Sequence, residues 1–84
     1  LNMRLDKYLK VSRIIKRRTV ANEACDAGRV VVNGKIARAS YDVKVNDVIE
    51  LTLGARTVKA RVVSVNEYAK KDEAAMMYEI IEEK

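Results

Sequence analysis

The apolar residues change their spacing at Gly28, and that change limits the fold more than any other feature of the chain. Before it, over residues 4 to 15, Leu5, Tyr8, Leu9 and Ile15 recur at helical intervals and share one arc with Ser12. Lys7, Lys10, Arg13 and Arg17 fall on the opposite arc, so this helix is expected to bury one face and leave a cationic one. A second helix is expected with Thr19 as N-cap and a stop at Gly28, the residue type favoured just past a helix end. Its capping box is imperfect, because Asn22 stands where Glu or Gln would close it. Val20, Ala24 and Ala27 give it a thin apolar stripe suited to close packing on the first helix.

After Gly28 the pattern is that of strands. Val30, Val31 and Val32 lead into Asn33-Gly34, the strongest short hairpin signal, and then Ile36 and Ala37. A strand is expected over residues 48 to 53, entered by a turn at Asn46-Asp47. Another is expected from residue 56 to about 65, where Val58, Ala60 and Val62 alternate with Thr57, Lys59 and Arg61. In the tail, Ala74, Met77, Tyr78 and Ile81 are spaced like one face of a short helix with an acidic outer side, which should cover the end of the sheet. The expected class is therefore α+β: two packed N-terminal helices, a small antiparallel sheet with one wet face, and a short C-terminal helical tail.

The 84 residues can enclose one modest core and make one domain. No apolar run approaches the ~18 residues of a membrane span, so no membrane partner is expected and the location should be cytoplasmic. Leu1 and Asn2 precede a plausible start at Met3 and are expected to add nothing to function. One cysteine, Cys25, and no histidine leave no internal disulfide and no zinc-type ligand set, so neither metal nor cofactor is expected.

Charge is spread unevenly. Residues 1–40 hold ten Lys/Arg against three acids, a net of +7, whereas residues 41–84 hold seven against nine, a net of −2. The first half is thus the candidate contact surface for a polyanion. Catalysis has no support: Ser12, Ser40 and Ser64 have no histidine to activate them, and Gly28, Gly34 and Gly54 are too far apart for a phosphate-cradling loop. Cys25 reads as a small, partly buried side chain near a helix C-terminus, where the dipole disfavours a thiolate.

Lys16, Arg17 and Arg18 crowd the start of the second helix, which already carries partial positive charge. That arrangement is repulsive while empty and well suited to a phosphate, which Arg13, Arg17 and Arg18 could grip with paired hydrogen bonds. No zinc finger, long base-reading helix or strand-borne aromatic pair is present, so shape and backbone recognition of folded RNA fits better than base readout.

The order of these parts carries a resemblance. Residues 3 to 51, with "RLDKYL", then "KRRT" at the second helix and "GRVVVNGK" at the hairpin, resemble the alpha-L RNA-binding motif domain first defined in small-subunit ribosomal protein four. The chain as a whole is similar to the short bacterial RqcP type and to the N-terminal part of the fifteen-kilodalton ribosome-associated heat-shock proteins. Its acidic end, in place of the long basic extension of the heat-shock type, favours the compact one. The resemblance implies an RNA-binding domain over residues 3–66 and a tail, 67–84, packed on it. It also implies a non-enzymatic monomer that binds stalled large ribosomal subunits through ribosomal RNA and peptidyl-tRNA. There it would act with the tailing factor of ribosome-associated quality control, steadying the tRNA while the nascent chain is extended at its C-terminus.

By the same resemblance Arg4, Asp6 and Arg18 match functional motif positions, with Lys7, Arg13, Lys16 and Arg17 on one surface. Lys10, Thr19, Arg29, Lys35 and Arg38 complete the expected RNA-binding set. Asp6, an acid among cations, either orients Arg4 or a neighbouring cation, accepts a bond from a ribose hydroxyl, or is simply favourable in a helix's first turn. Two other functions stay open: a heat-shock rescue or ribosome-assembly factor using the same surface, and an adaptor whose working face is Glu79, Glu82 and Glu83. Tyr8 and Tyr41 are the candidates for stacking on a base.

Overall fold

The computed structural model describes residues 3–83, so the expectation for Leu1 and Asn2 and the last residue of the tail, Lys84, lie outside the described residues. The elements run β1 (Met3–Arg4), α1 (Leu5–Val11), α2 (Arg18–Asp26), β2 (Val30–Val32), β3 (Lys35–Ile36), β4 (Asp42–Val43), β5 (Val48–Leu53), β6 (Arg56–Val62), α3 (Lys71–Ala74) and β7 (Tyr78–Glu83). Five strands form one antiparallel sheet in the order β3-β2-β5-β6-β7, and β1 pairs with β4 in a separate ribbon. The α+β class and the two packed N-terminal helices are as the sequence predicts.

α1 stops at Val11, four residues before the expected end. Arg13 adopts a left-handed backbone, φ 64°, and its N–H donates to the Lys10 carbonyl while the Ile15 N–H closes on that of Leu9. No glycine or asparagine announces this turn. Ile15 is still buried, carried in by the returning chain rather than by the helix, and Arg13 and Arg17 are not on α1 at all.

α2 begins two residues earlier than expected. Arg17 is its N-cap, with extended backbone and no side-chain cap, and Thr19 lies exposed inside the first turn instead of capping it. The buried stripe is Ala21, Ala24 and Cys25 rather than Val20, Ala24 and Ala27; Val20 and Ala27 are exposed. The helix is rotated because Arg18 and Asn22, one turn apart, both reach Asp6 on α1 and bring their side inward. Its C-terminus agrees with expectation: Gly28, at φ +73°, donates to the Cys25 carbonyl and Arg29 to that of Ala24.

Asn33 and Gly34, with φ of 52° and 83°, close a two-residue turn that pairs Val32 with Lys35 and Val31 with Ile36. Asp47 locks the next turn by accepting bonds from Asn33 Nδ2, the Tyr41 hydroxyl and the Lys44 N–H. β6 ends at Val62 rather than near 65, because the Val63 and Ser64 N–H groups turn aside to the Met77 carbonyl.

The tail departs most from expectation. α3 is a single turn, and the chain then extends as the edge strand β7, so Tyr78 and Ile81 belong to a strand and not to a helix face. Tyr78, Ile80 and Ile81 are strand-favouring residues, and the register sets Glu79 opposite Arg61 and Glu82 opposite Lys59. Ile81 is the extra residue at an irregularity facing Lys59 and Ala60. Ala74 and Met77 are buried as expected.

Leu5, Tyr8 and Leu9 of α1 are wholly buried in one core with Val30, Val32, Ile49, Leu51 and Val62 of the sheet. Burial of Leu5 or Leu9 contributes about 2 kcal/mol each. The Tyr8 hydroxyl donates to the Met77 carbonyl at 2.9 Å, tying the first helix to the last connection. Burial raises its phenol above the ordinary range, so it stays a neutral donor.

Candidate nucleic-acid interface

Asp6 is 2% exposed, although it stands in the first turn of a seven-residue helix. Its Oδ1 accepts from Arg4 Nε at 3.1 Å and the Lys7 N–H at 2.8 Å. Its Oδ2 accepts from Asn22 Nδ2 at 3.2 Å and from Arg4 Nη2 and Arg18 Nε at 3.4 Å each. Five donors fill the roughly four acceptor sites of a carboxylate, leaving none for a ribose hydroxyl. Of the roles open to Asp6 in the sequence, the geometry is that of orienting cations. Burial alone would raise its pKa, but the bonds from Arg4, Asn22, Arg18 and Lys7 together outweigh it and hold the carboxyl at about 2.

The two arginines are anchored and yet open. Their side chains are 49% and 47% exposed. Among the described residues Arg18 is held through Nε alone, which leaves both its Nη groups to grip an anion, and Arg4 keeps Nη1. Asn22 is the member of this cluster that sequence reasoning missed. Its signal was position, one turn after Arg18 and inside the stripe facing α1.

Arg4, Lys7 and Arg18 line a cleft of about 340 Å³ with Met3, Asp42, Val65 and Glu67. Lys7 forms an ion pair with Glu67 on the rim. A second groove runs from Arg4 past Asn22, Gly28 and Ile36 to Arg38, which joins the β2–β3 hairpin to the same surface. Thr19 borders a shallow depression with Asp6, Arg18 and Asn22. The first turn of α2 contains no acid and no side chain caps it, so its free N–H donors share the surface with Lys16, Arg17 and Arg18.

Arg13 stands apart from the expected clamp with Arg17 and Arg18: it lines a sheet-side groove with Ile14, Leu53, Arg56, Tyr78 and Ile80. Lys10, Lys16, Arg17, Arg29, Lys35 and Arg38 are exposed, and among the described residues none of them forms an ion pair.

Neither tyrosine named for stacking is free to do so through its whole ring. Tyr8 is buried, and Tyr41 is half-buried with its hydroxyl on Asp47 at 2.8 Å. The Cys25 thiol is buried and pushed up to about 11 by that burial and then by the Asp6 and Asp26 charges, which suits a packing role. The tail acids meet cations of β6: Glu79 bonds Arg61 at 2.6 Å and Glu83 pairs with Arg56. Among the described residues no helix is long and apolar enough to cross a membrane, and no cluster of three or more His, Cys, Asp or Glu is positioned for a metal.

Two short helices presenting fixed and unpaired cations above a small antiparallel sheet define the class, and residues 3–49 match the S4 domain family. Over 81 residues the chain is 57% identical to the "RQC P-site tRNA stabilizing factor" of Streptococcus pneumoniae (strain ATCC BAA-255 / R6), covering 96% of this chain and 92% of that protein. The chain belongs to this family of S4-domain factors. It is also 33% identical to the "Heat shock protein 15" of Escherichia coli (strain K12), over 94% of this chain and 60% of that protein. Among solved structures, the trimeric Vibrio cholerae Heat Shock Protein 15 superimposes with a TM-score of 0.87 at 27% identity, covering 95% of this chain and 82% of that one.

Proposed function

We propose that this chain is a non-enzymatic RNA-binding factor of bacterial ribosome-associated quality control. It docks on stalled large ribosomal subunits, contacts ribosomal RNA and the P-site peptidyl-tRNA, and steadies that tRNA while the tailing factor extends the nascent chain. The observation that carries this reading is the buried Asp6, which fixes Arg4 and Arg18 with their outer nitrogens open beside an uncapped helix start. The names of the curated relatives point to the same role.

The mechanism is positional. Arg4, Lys7 and Arg18 take phosphates of one RNA strand, the groove to Arg38 takes its continuation, and Lys10, Lys16, Arg17, Arg29 and Lys35 supply the surrounding field. Thr19 adds a hydroxyl at the start of α2, and Arg13 meets RNA only where it wraps toward the sheet. Asp6 is a positioning residue that touches no RNA. Residues 3–66 form the RNA-binding unit, the tail from 67 braces it through β7, and the protein acts as a monomer without chemistry of its own.

The test is co-sedimentation with purified large subunits, with and without bound peptidyl-tRNA, for the wild type and Arg18→Ala. Binding that needs the tRNA-occupied particle and falls at least about tenfold in the variant is the expected result. Preference for empty ribosomes or assembly intermediates would favour the rescue or assembly role instead. Equal binding by the variant would reduce these cations to ordinary surface.

A further inference from the structure

Tyr68 is 84% exposed, the most open aromatic side chain among the described residues. Tyr8 is buried, Tyr41 is half-buried and tied to Asp47, and Tyr78 is half-buried on β7, so Tyr68 alone of the described tyrosines is exposed. It sits on the connection between β6 and α3, outside residues 3–49.

That connection is pinned on both sides of the ring. Val65 and Ala69 pack against the core, Glu67 pairs with Lys7, and the Tyr68 N–H donates to Asn66 Oδ1 at 3.0 Å. Val65 and Glu67 are themselves walls of the Arg4, Lys7 and Arg18 cleft. Tyr68 is thus one residue, about 3.8 Å of backbone, from the rim of the cationic cleft. On its other side Lys70 and Lys71 are exposed and, among the described residues, in no ion pair. An open ring held between two cationic groups is the arrangement that follows a single strand, where the cations take phosphates and the ring takes a base.

Resting on the RNA-binding reading above, we propose that Tyr68 is a platform that stacks on an unpaired base of the RNA strand held by Arg4, Lys7 and Arg18. The hydroxyl has no assigned part, so Tyr68→Phe should bind as well as the wild type. Tyr68→Ala should lose about tenfold in affinity, the scale of one base stacked on an aromatic ring. Since stacking releases no counterions, the dependence of log affinity on log salt should keep its slope.

The test uses the intact protein and large subunits carrying peptidyl-tRNA, with wild type, Tyr68→Ala, Tyr68→Phe, Tyr68→Trp and Arg18→Ala measured together. The chain contains no tryptophan, so the single indole of Tyr68→Trp reports on this position alone. The proposal expects quenching of that emission on binding, the tenfold loss in Tyr68→Ala, and an unchanged thermal midpoint in all three Tyr68 variants. Wild-type affinity in Tyr68→Ala overturns it, as does an indole that shifts to the blue without quenching, the mark of burial against protein. Arg18→Ala separates the two levels: if it loses affinity while Tyr68→Ala does not, the platform fails and the RNA-binding reading stands.

Discussion

The helical surface around residues 4–18 and strand β6 of the sheet are both rich in Lys and Arg, but they treat charge in different ways. On β6, Arg56, Lys59 and Arg61 each meet a carboxylate across the sheet, from Glu83, Glu50 and Glu79. On the helical side Lys10, Lys16 and Arg17 form no ion pair among the described residues, and Lys7 meets Glu67 at the rim of the cleft. The one buried acid there, Asp6, aims Arg4 and Arg18 outward without covering them. Cations neutralised across the strands serve the fold, whereas unpaired cations beside two arginines held from beneath by a buried carboxylate are the arrangement a polyanion would need. The formal net charge of +5 averages the two and hides the distinction.

Salt should separate the surfaces most sharply. With about five phosphates engaged, the log–log slope is about −4 by analogy with duplex DNA. Going from ~50 to ~200 mM salt should then weaken binding to tRNA-occupied large subunits roughly 250-fold. The urea midpoint of the free protein should move little, since the sheet pairs are exposed and individually weak. A flat affinity profile in the sedimentation assay would remove the contrast.

Asp6 links the surfaces, because it serves fold and site together. Its folded pKa of about 2, against 3.8 for the unperturbed group, means the carboxylate stabilises the native state above about pH 4. That contribution, about 2 kcal/mol, is lost as pH falls through 2. Asp6→Asn should lower stability by about this amount at pH 7, flatten the acid limb of a urea-midpoint series, and weaken RNA binding by at least about tenfold. A variant whose acid limb matches the wild type would show that Asp6 is not the anchor.

Arg18→Ala is the narrower cut. It removes an outward fork and one long bond of the five to Asp6, at 3.4 Å, so affinity should fall about tenfold, near 1.4 kcal/mol, with the thermal midpoint within a few degrees of the wild type. A larger loss of stability than of affinity would place Arg18 with the sheet cations.

Much of this contrast was legible in the chain itself. The +7 first half, the helix-then-strand order, the Asn33-Gly34 hairpin and the strand at 48–53 all depend on local patterns, and the structure has each of them. The errors came where one part of the chain decides the conformation of another. Arg13 takes the left-handed position that glycine usually marks, so helical spacing alone overextends α1 and sets Arg13 in the clamp. Asn22 is drawn inward by a carboxylate sixteen residues away, which rotates α2 and exposes Val20. The tail has helical spacing through Ile81, but cross-strand pairing with β6 makes it a strand and turns its acids from an open face into partners.

The smallest expected effect tests that last point. Arg61 and Glu79 are half-exposed neighbours across β6 and β7, and a pair of that kind couples by about 0.5 kcal/mol or less. A double-mutant cycle of Arg61→Ala and Glu79→Ala, read by urea unfolding at low salt, should return a coupling of that size, shrinking as salt is added, with binding to the large subunit unchanged in all four proteins. The measurement is informative because it is weak in one quantity and silent in the other. Were charge reversal at Glu79, Glu82 and Glu83 instead to abolish binding while Arg18→Ala spared it, the tail acids would be the working face. The pairs across β6 and β7 would then be what a protein partner must break to reach them.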